Sequence, residues 1–224
     1  MPLQIEITPE LQPSPASLRN SPIAGVFLTN ADLDHVLGLL LLRQQESPLI
    51  IYANSETRAA LGWIDNLWDR FCCIDWRLVR LDGLKPSSLT AGLTWSPIKL
   101  QNSIALQFRD ERGGKTGLIA PAVGELNDGL RDAINTADVV LFDGTFWTNE
   151  ELRATRPTAR TALEMSHLPI RDGSLELLRD CGAHRKIYIH INNTNPILMP
   201  GSVEREAVER AGIEIAQDGL EMVL

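Results

Sequence analysis

The sequence predicts an α/β fold: two β-sheets packed as a sandwich and covered on the outside by helices, in one domain spanning residues 1–224. Three observations predict it. Short buried-type strands alternate with helical stretches along both ends of the chain. A β-rich middle carries a glycine-containing turn of the hairpin kind. Four polar motifs each stand where an apolar strand stops, so their side chains can share one rim of the sandwich. The length of 224 residues and a hydrophobic share of 44% suit a single α/β domain with a sizeable core.

The elements follow in order. Residues 1–22 hold Pro2, Pro9, Pro13, Pro15 and Pro22. That density predicts irregular chain with one helical turn around Glu10. Residues 23–29 (Ile-Ala-Gly-Val-Phe-Leu-Thr) read as a buried strand, 36–45 as an apolar helix and 48–52 as a second buried strand. A helix runs from Asn54 towards Trp68, with Ser55 as its N-cap. Strands over 75–81, 93–100 and 103–108 show patchy alternation. The turn Asp110-Glu-Arg-Gly-Gly-Lys-Thr116 joins the last of them to a return strand over 115–121. Residues 123–135 read as a helix and 138–143 as a continuous apolar strand ending in Asp143. Further helices are expected through Glu150 and Leu152, over 174–181 and over 203–211. Strands over 186–191 and 214–216 complete the pattern.

Charge and cysteine content exclude several classes. A net charge of −8 rules against a bulk electrostatic grip on nucleic acid. Arg153, Arg156 and Arg160 form the densest basic group and read as a solvated helical face rather than a phosphate site. Cys72, Cys73 and Cys181 are odd in number and lack Cys-x-x-Cys spacing, which argues against a disulfide framework or a cysteine zinc knuckle. The N-terminus shows no basic stretch leading into an apolar one, as a secretion signal would. The longest apolar run, Val36 to Leu42, contains Gly38 and is too short to span a bilayer. The expectation is a soluble protein of the reducing cytoplasm with no membrane insertion.

The four motifs concentrate the chemistry. Three of the four histidines fall in them, and the remaining one, His184, stands beside Arg185 and Lys186 as a surface residue. Asn30-Ala-Asp-Leu-Asp-His35 fills a strand-to-helix loop, where Asp34 and His35 can reach one ion. Helix capping by Asp32 or Asp34, with His35 merely packed, explains that loop equally well. Asp143 ends a buried strand, where a carboxylate is costly unless paired or coordinated; a pairing with the turn at Gly144 is the plain alternative. His167 lies in a loop before Pro169. His190 ends a β-branched strand and is followed by Asn192, Asn193, Thr194 and Asn195, amides able to fix its tautomer or line a substrate site. Jointly, imidazoles and carboxylates at strand ends are the ligands of a first-row transition metal.

With these motifs the chain resembles the metallo-β-lactamase superfamily and, within it, the pyrroloquinoline quinone (PQQ) biosynthesis protein B family. The similarity rests on Leu28-Thr-Asn-Ala-Asp-Leu-Asp-His35, Leu141-Phe-Asp-Gly-Thr-Phe-Trp147, His167-Leu-Pro-Ile170 and the stretch from Lys186 to Leu198. It extends from about residue 10 to the C-terminus. The resemblance implies an αββα sandwich, here N-terminally shortened. The family pattern begins with two further strands, a glycine-rich segment and a cysteine-containing zinc motif that this chain lacks. One sheet is therefore expected to have an open edge, and a partner subunit in a homo-oligomer is one way of completing it. Ser166 also replaces the glycine usual before the histidine of the third motif.

The superfamily pattern His-x-His-x-Asp-His reads Asn30-x-Asp32-x-Asp34-His35 here, and no histidine lies between His35 and His167. The resemblance thus implies that the first of two metal sites is lost. The second keeps Asp34, His35, His190 and the otherwise bridging Asp143. One centre of two imidazoles and one or two carboxylates with open positions resembles the ligand set of non-haem iron(II) oxygenases. The implied activity is hydroxylation of a tyrosine ring in the peptide or amino-acid-derived precursor of the quinone cofactor. The implied cofactor is one divalent ion, iron(II) before zinc. Asp143 and His167 are the expected catalytic groups, and Asn192 and Asn193 the pocket lining. Two other readings stay open: a one-zinc hydrolase, and a carrier moving PQQ or its precursor towards the periplasm.

Overall fold

The computed structural model describes residues 2–16, 21–42, 47–68, 70, 73–80, 85–86 and 92–222. The expected helix end at Gln45, the strand end at Leu81 and Cys72 lie outside them. The chain forms two compact units, residues Met1–Arg80 with Asp218–Glu221, and residues Leu81–Gln217 with Met222–Leu224.

In the first unit, the expected helical turn around Glu10 is present as a 3-10 turn (Pro9–Leu11), while helix α1 (Pro2–Ile7) stands where irregular chain was expected. Proline is suited to a helix start, where its missing N–H is not needed, so the proline count misled. Strand β1 (Gly25–Phe27) is shorter than expected. Helix α2 (Leu33–Val36) begins earlier than expected and tightens into a 3-10 stretch, Leu37–Leu41. Strand β2 (Leu49–Ala53) buries alternate residues Leu49, Ile51 and Ala53. The single helix expected up to Trp68 is two, α3 (Ser55–Ala60) and α4 (Gly62–Trp68). Its cap is Asn54 rather than Ser55: the Asn54 side chain accepts from Thr57 N at 2.7 Å. Strand β3 (Ile74–Leu78) completes a parallel sheet of order β1-β2-β3, with Val26 opposite Ile51 and Ile51 opposite Trp76. Leu28, Val36, Leu39, Ile64 and Trp68 pack with the buried side of β2.

The second unit holds strands β4 (Lys85–Pro86), β5 (Leu93–Lys99), β6 (Ile104–Asp110) and β7 (Thr116–Ala120). Helix α5 (Asp128–Thr136) and strand β8 (Val139–Asp143) follow, then α6 (Leu175–Asp180), β9 (Arg185–Ile189), α7 (Val203–Arg210) and β10 (Glu214–Ile215). The seven strands lie in the order β10-β9-β8-β7-β6-β5-β4. Pairs from β4 to β7 are antiparallel, with the expected hairpin at Arg109 opposite Thr116. Pairs from β7 to β10 are parallel, which requires crossover connections, and α5, α6 and α7 supply them. Leu130, Ile134, Leu178 and Val208 bury the helices' inner faces against Leu118, Val140, Phe142 and Tyr188.

Two helices expected here are corrected. The segment through Glu150 and Leu152 is a 3-10 turn, Glu151–Ala154. Helix α5 starts five residues later than expected, at Asp128. Its N-cap is Asn127, whose side chain accepts from Leu130 N at 2.9 Å. Cys73 is exposed and Cys181 buried. Among the described residues no helix is long and apolar enough to cross a membrane.

Two consequences are measurable. Asn127→Ala removes the α5 cap and should cost about 1 kcal/mol in urea unfolding. Asp138 stands just before β8 and accepts from Lys115 Nζ at 2.9 Å and Thr116 N at 2.9 Å. The Lys115 bond first, and the Thr116 amide next, hold its carboxyl down from 3.8 to about 2. A carboxyl depressed in the folded state contributes stability above its unfolded pKa and loses it as pH falls through the folded value. Asp138→Asn should therefore be less stable than wild type at neutral pH. The gap should close between the ordinary 3.8 and about 2 in pH-dependent urea melts.

Candidate metal centre

Strands β8 and β9 run parallel, so their C-terminal ends reach the same edge of the sheet, where α/β folds place their sites. Asp143, the last residue of β8, is 0% exposed and would be costly there unpaired. Four donors meet it. Oδ1 accepts from Thr145 N at 3.0 Å and Thr145 Oγ1 at 2.6 Å. Oδ2 accepts from Val123 N at 2.8 Å and stands 2.8 Å from His167 Nδ1. The turn that permits this needs Gly144: a Cβ there would lie 2.8 Å from Tyr188 Cβ. Gly144 N also donates to Ile189 O at 2.8 Å, joining the ends of β8 and β9.

His167 follows a 3-10 turn (Leu163–Met165) and is buried, its ring edge-on to Phe146 at 5.8 Å. The residue before it, Ser166, has the left-handed conformation φ 63°, ψ 38°. Glycine adopts that conformation without strain, which explains the glycine of the family pattern. Here Ser166 holds the same turn, and its Oγ accepts from Asn102 Nδ2 at 2.6 Å. His190 directly follows β9, and its own φ is 55°. This reversal turns its ring towards His167; the two stack at 5.4 Å and 20°. One ligating atom each from Asp143, His167 and His190 lies within 4.8 Å of the others. His184, set aside from the sequence, is exposed.

The amides after His190 divide their roles. Asn192 is half-buried and donates to Thr194 Oγ1 at 2.8 Å, whereas Asn193 is exposed. The buried amide is Asn195, 1% exposed, which donates to Gly144 O at 2.9 Å. Thr194 in turn donates to Glu151 Oε1 at 2.6 Å, and Glu151 Oε2 accepts from Trp147 N at 2.6 Å. Burial pushes the Glu151 carboxyl above its usual value, against the pull of these donors. Glu151 thereby ties the loop after β8 to the loop after β9.

In the first unit, His35 Nδ1 lies 2.9 Å from Thr29 Oγ1, and His35 Nε2 approaches Asp34 Oδ2 to 4.0 Å. The Asp34 side chain is 65% exposed, that of His35 only 11%. Asp32 occupies the N-cap position of α2 without making a side-chain cap bond. Its carboxylate instead accepts from Asn30 Nδ2 at 2.7 Å, and its amide donates to Asn30 Oδ1 at 3.3 Å. Sequence reasoning missed Thr29, Thr145 and Glu151. The hydroxyl in Asp-Gly-Thr was the one available hint.

The residues suit a divalent ion: neutral imidazole nitrogens and carboxylate oxygens, without thiolate, are ligands for zinc or iron. Comparison with known proteins agrees. Residues 4–191 match the β-lactamase superfamily domain. Coenzyme PQQ synthesis protein B of Cupriavidus necator is 35% identical, the alignment covering 99% of this chain and 79% of that protein. The protein of the same name from Nitrosococcus oceani is 32% identical over 99% and 80%. The crystal structure of Zn2+-bound PqqB from Methylobacterium extorquens superposes with a TM-score of 0.85 at 31% identity, covering 100% of this chain and 78% of that one. The chain thus has the metallo-β-lactamase fold and belongs to the coenzyme PQQ synthesis protein B family.

Proposed function

We propose that this chain is a mononuclear metal-dependent hydroxylase, acting on a tyrosine ring of the peptide or amino-acid-derived PQQ precursor, with iron(II) as its ion. From the order of the motifs, Asp34, His35 and His190 are assigned as ligands. Asp143 is assigned as a fourth ligand or orienting carboxylate. The ion would supply a Lewis-acidic and redox-active centre with open positions. His167, held through Nδ1 by Asp143, would exchange a proton with the substrate or orient it through Nε2. Asn192 and Asn193 would line the substrate's place.

The observation that carries this reading is the bond between Asn30 and Asp32. Both stand where the superfamily pattern puts histidines of a first metal site, and their side chains satisfy each other. That favours one ion over two, and a one-ion centre lacks the two-metal clamp of the superfamily's hydrolases. A one-zinc hydrolase is the second reading, favoured by the Zn2+ in the Methylobacterium extorquens relative.

Anaerobic reconstitution with iron(II), followed by metal analysis, tests the ligand set. Wild type should retain about one ion per chain, while His35→Ala and His190→Ala should each lose most of it. Unchanged iron in both variants would sink the proposal. Oxygen uptake separates the two chemistries: product formed without oxygen favours hydrolysis. Tight precursor or quinone binding without any product would mark a carrier.

A further inference from the structure

We infer that Thr145 is a positioning residue whose single hydroxyl, with Asp143, holds His190 and His167 as Nδ1-protonated tautomers, which makes Nε2 the accepting nitrogen of each ring. The consequence for a metal rests on the reading above; the tautomers do not.

Thr145 Oγ1 is 2.6 Å from Asp143 Oδ1, 2.7 Å from His190 Nδ1, 2.9 Å from the His190 carbonyl oxygen and 3.1 Å from His167 Nδ1. A hydroxyl has one proton to give and two lone pairs. The carboxylate and the carbonyl can only accept, so they draw that proton, the short contact to the charged oxygen being the stronger. The 2.7 Å contact to His190 is then attractive only if Nδ1 carries the hydrogen and donates. The same holds for His167, whose Nδ1 faces the acceptor Oδ2 of Asp143 at 2.8 Å. One carboxylate, directly on one side and through a hydroxyl on the other, thus sets both rings.

Replacement of this hydroxyl by water is disfavoured, since Thr145 is 6% exposed. Its backbone is held as well: Asn195 Nδ2 lies 3.3 Å from Thr145 O, and Asn192 N donates to the same oxygen at 3.2 Å. A threonine methyl could fill the space equally in valine, but valine has no proton for Asp143 and no lone pair for His190. Partners behind a ligating histidine are worth 10- to 100-fold in metal affinity.

The test uses full-length protein labelled with 15N-histidine and recorded metal-free. Two-bond 1H–15N spectra read the tautomer of each ring, and His167→Gln and His190→Gln give the assignments. Wild type and Thr145→Ser should show Nδ1–H at both residues. In Thr145→Val, His190 should shift towards Nε2–H while His167, still facing Asp143, keeps Nδ1–H. Titration with Zn2+ alone should then show roughly 10- to 100-fold weaker binding for Thr145→Val and near-wild-type binding for Thr145→Ser. An Nε2–H ring at His190 in wild type overturns the inference, and that spectrum decides even if the valine variant fails to fold. A valine variant that keeps both tautomer and affinity overturns it too, as does a folded serine variant that behaves like valine. If wild type binds no Zn2+, the metal-centre reading fails, and the spectra still judge the tautomers on their own.

Discussion

The buried charge of Asp143 is the constraint on which the second unit depends. A carboxylate with no exposed surface must be met by donors on every side or the fold loses several kcal/mol. Here the donors come from three separate stretches of chain: the loop after β7, the turn after β8 and the loop carrying His167. Each stretch is shaped by the obligation. The Val123 amide turns to Oδ2, residue 144 must lack a Cβ, and Ser166 accepts a left-handed backbone.

A second regularity is the pairing of imidazole with threonine. Within the first unit Thr29 meets His35 through Nδ1, and within the second Thr145 meets His190 through the same atom. Hydroxyls can give or take, so alone they do not decide a tautomer. Around Thr145 the decision comes from the carboxylate behind it. The buried end of the relay carries the charge, and the ring carries the consequence from Nδ1 to Nε2.

Much of this was legible in the sequence. Apolar runs announced β2, β8 and β9, and the ends of β8 and β9 led directly to Asp143 and His190. The order of the motifs led to the family. What escaped was set by contacts distant along the chain or by choices between chemically equal neighbours. Thr145 meets His167 and His190, which are 22 and 45 residues away, and no local pattern encodes that. Asn54 and Ser55 are both good caps, and only the closing of the first turn onto Thr57 separates them. The cap of α5 falls at Asn127, a good capping residue preceded by residues whose composition also permits a helix, and only its bond to Leu130 N separates the two.

The strands that bound the seven-stranded sheet are short. Its outer members, β10 and the described part of β4, are two residues each, and β4 includes Pro86, which has no N–H to offer. Along these outermost segments a neighbouring chain would meet few backbone groups, while β5 runs from Leu93 to Lys99 and pairs with β4 only at Thr94 and Trp95 among the described residues. Strand addition therefore finds little template on β10 and on the described part of β4 themselves.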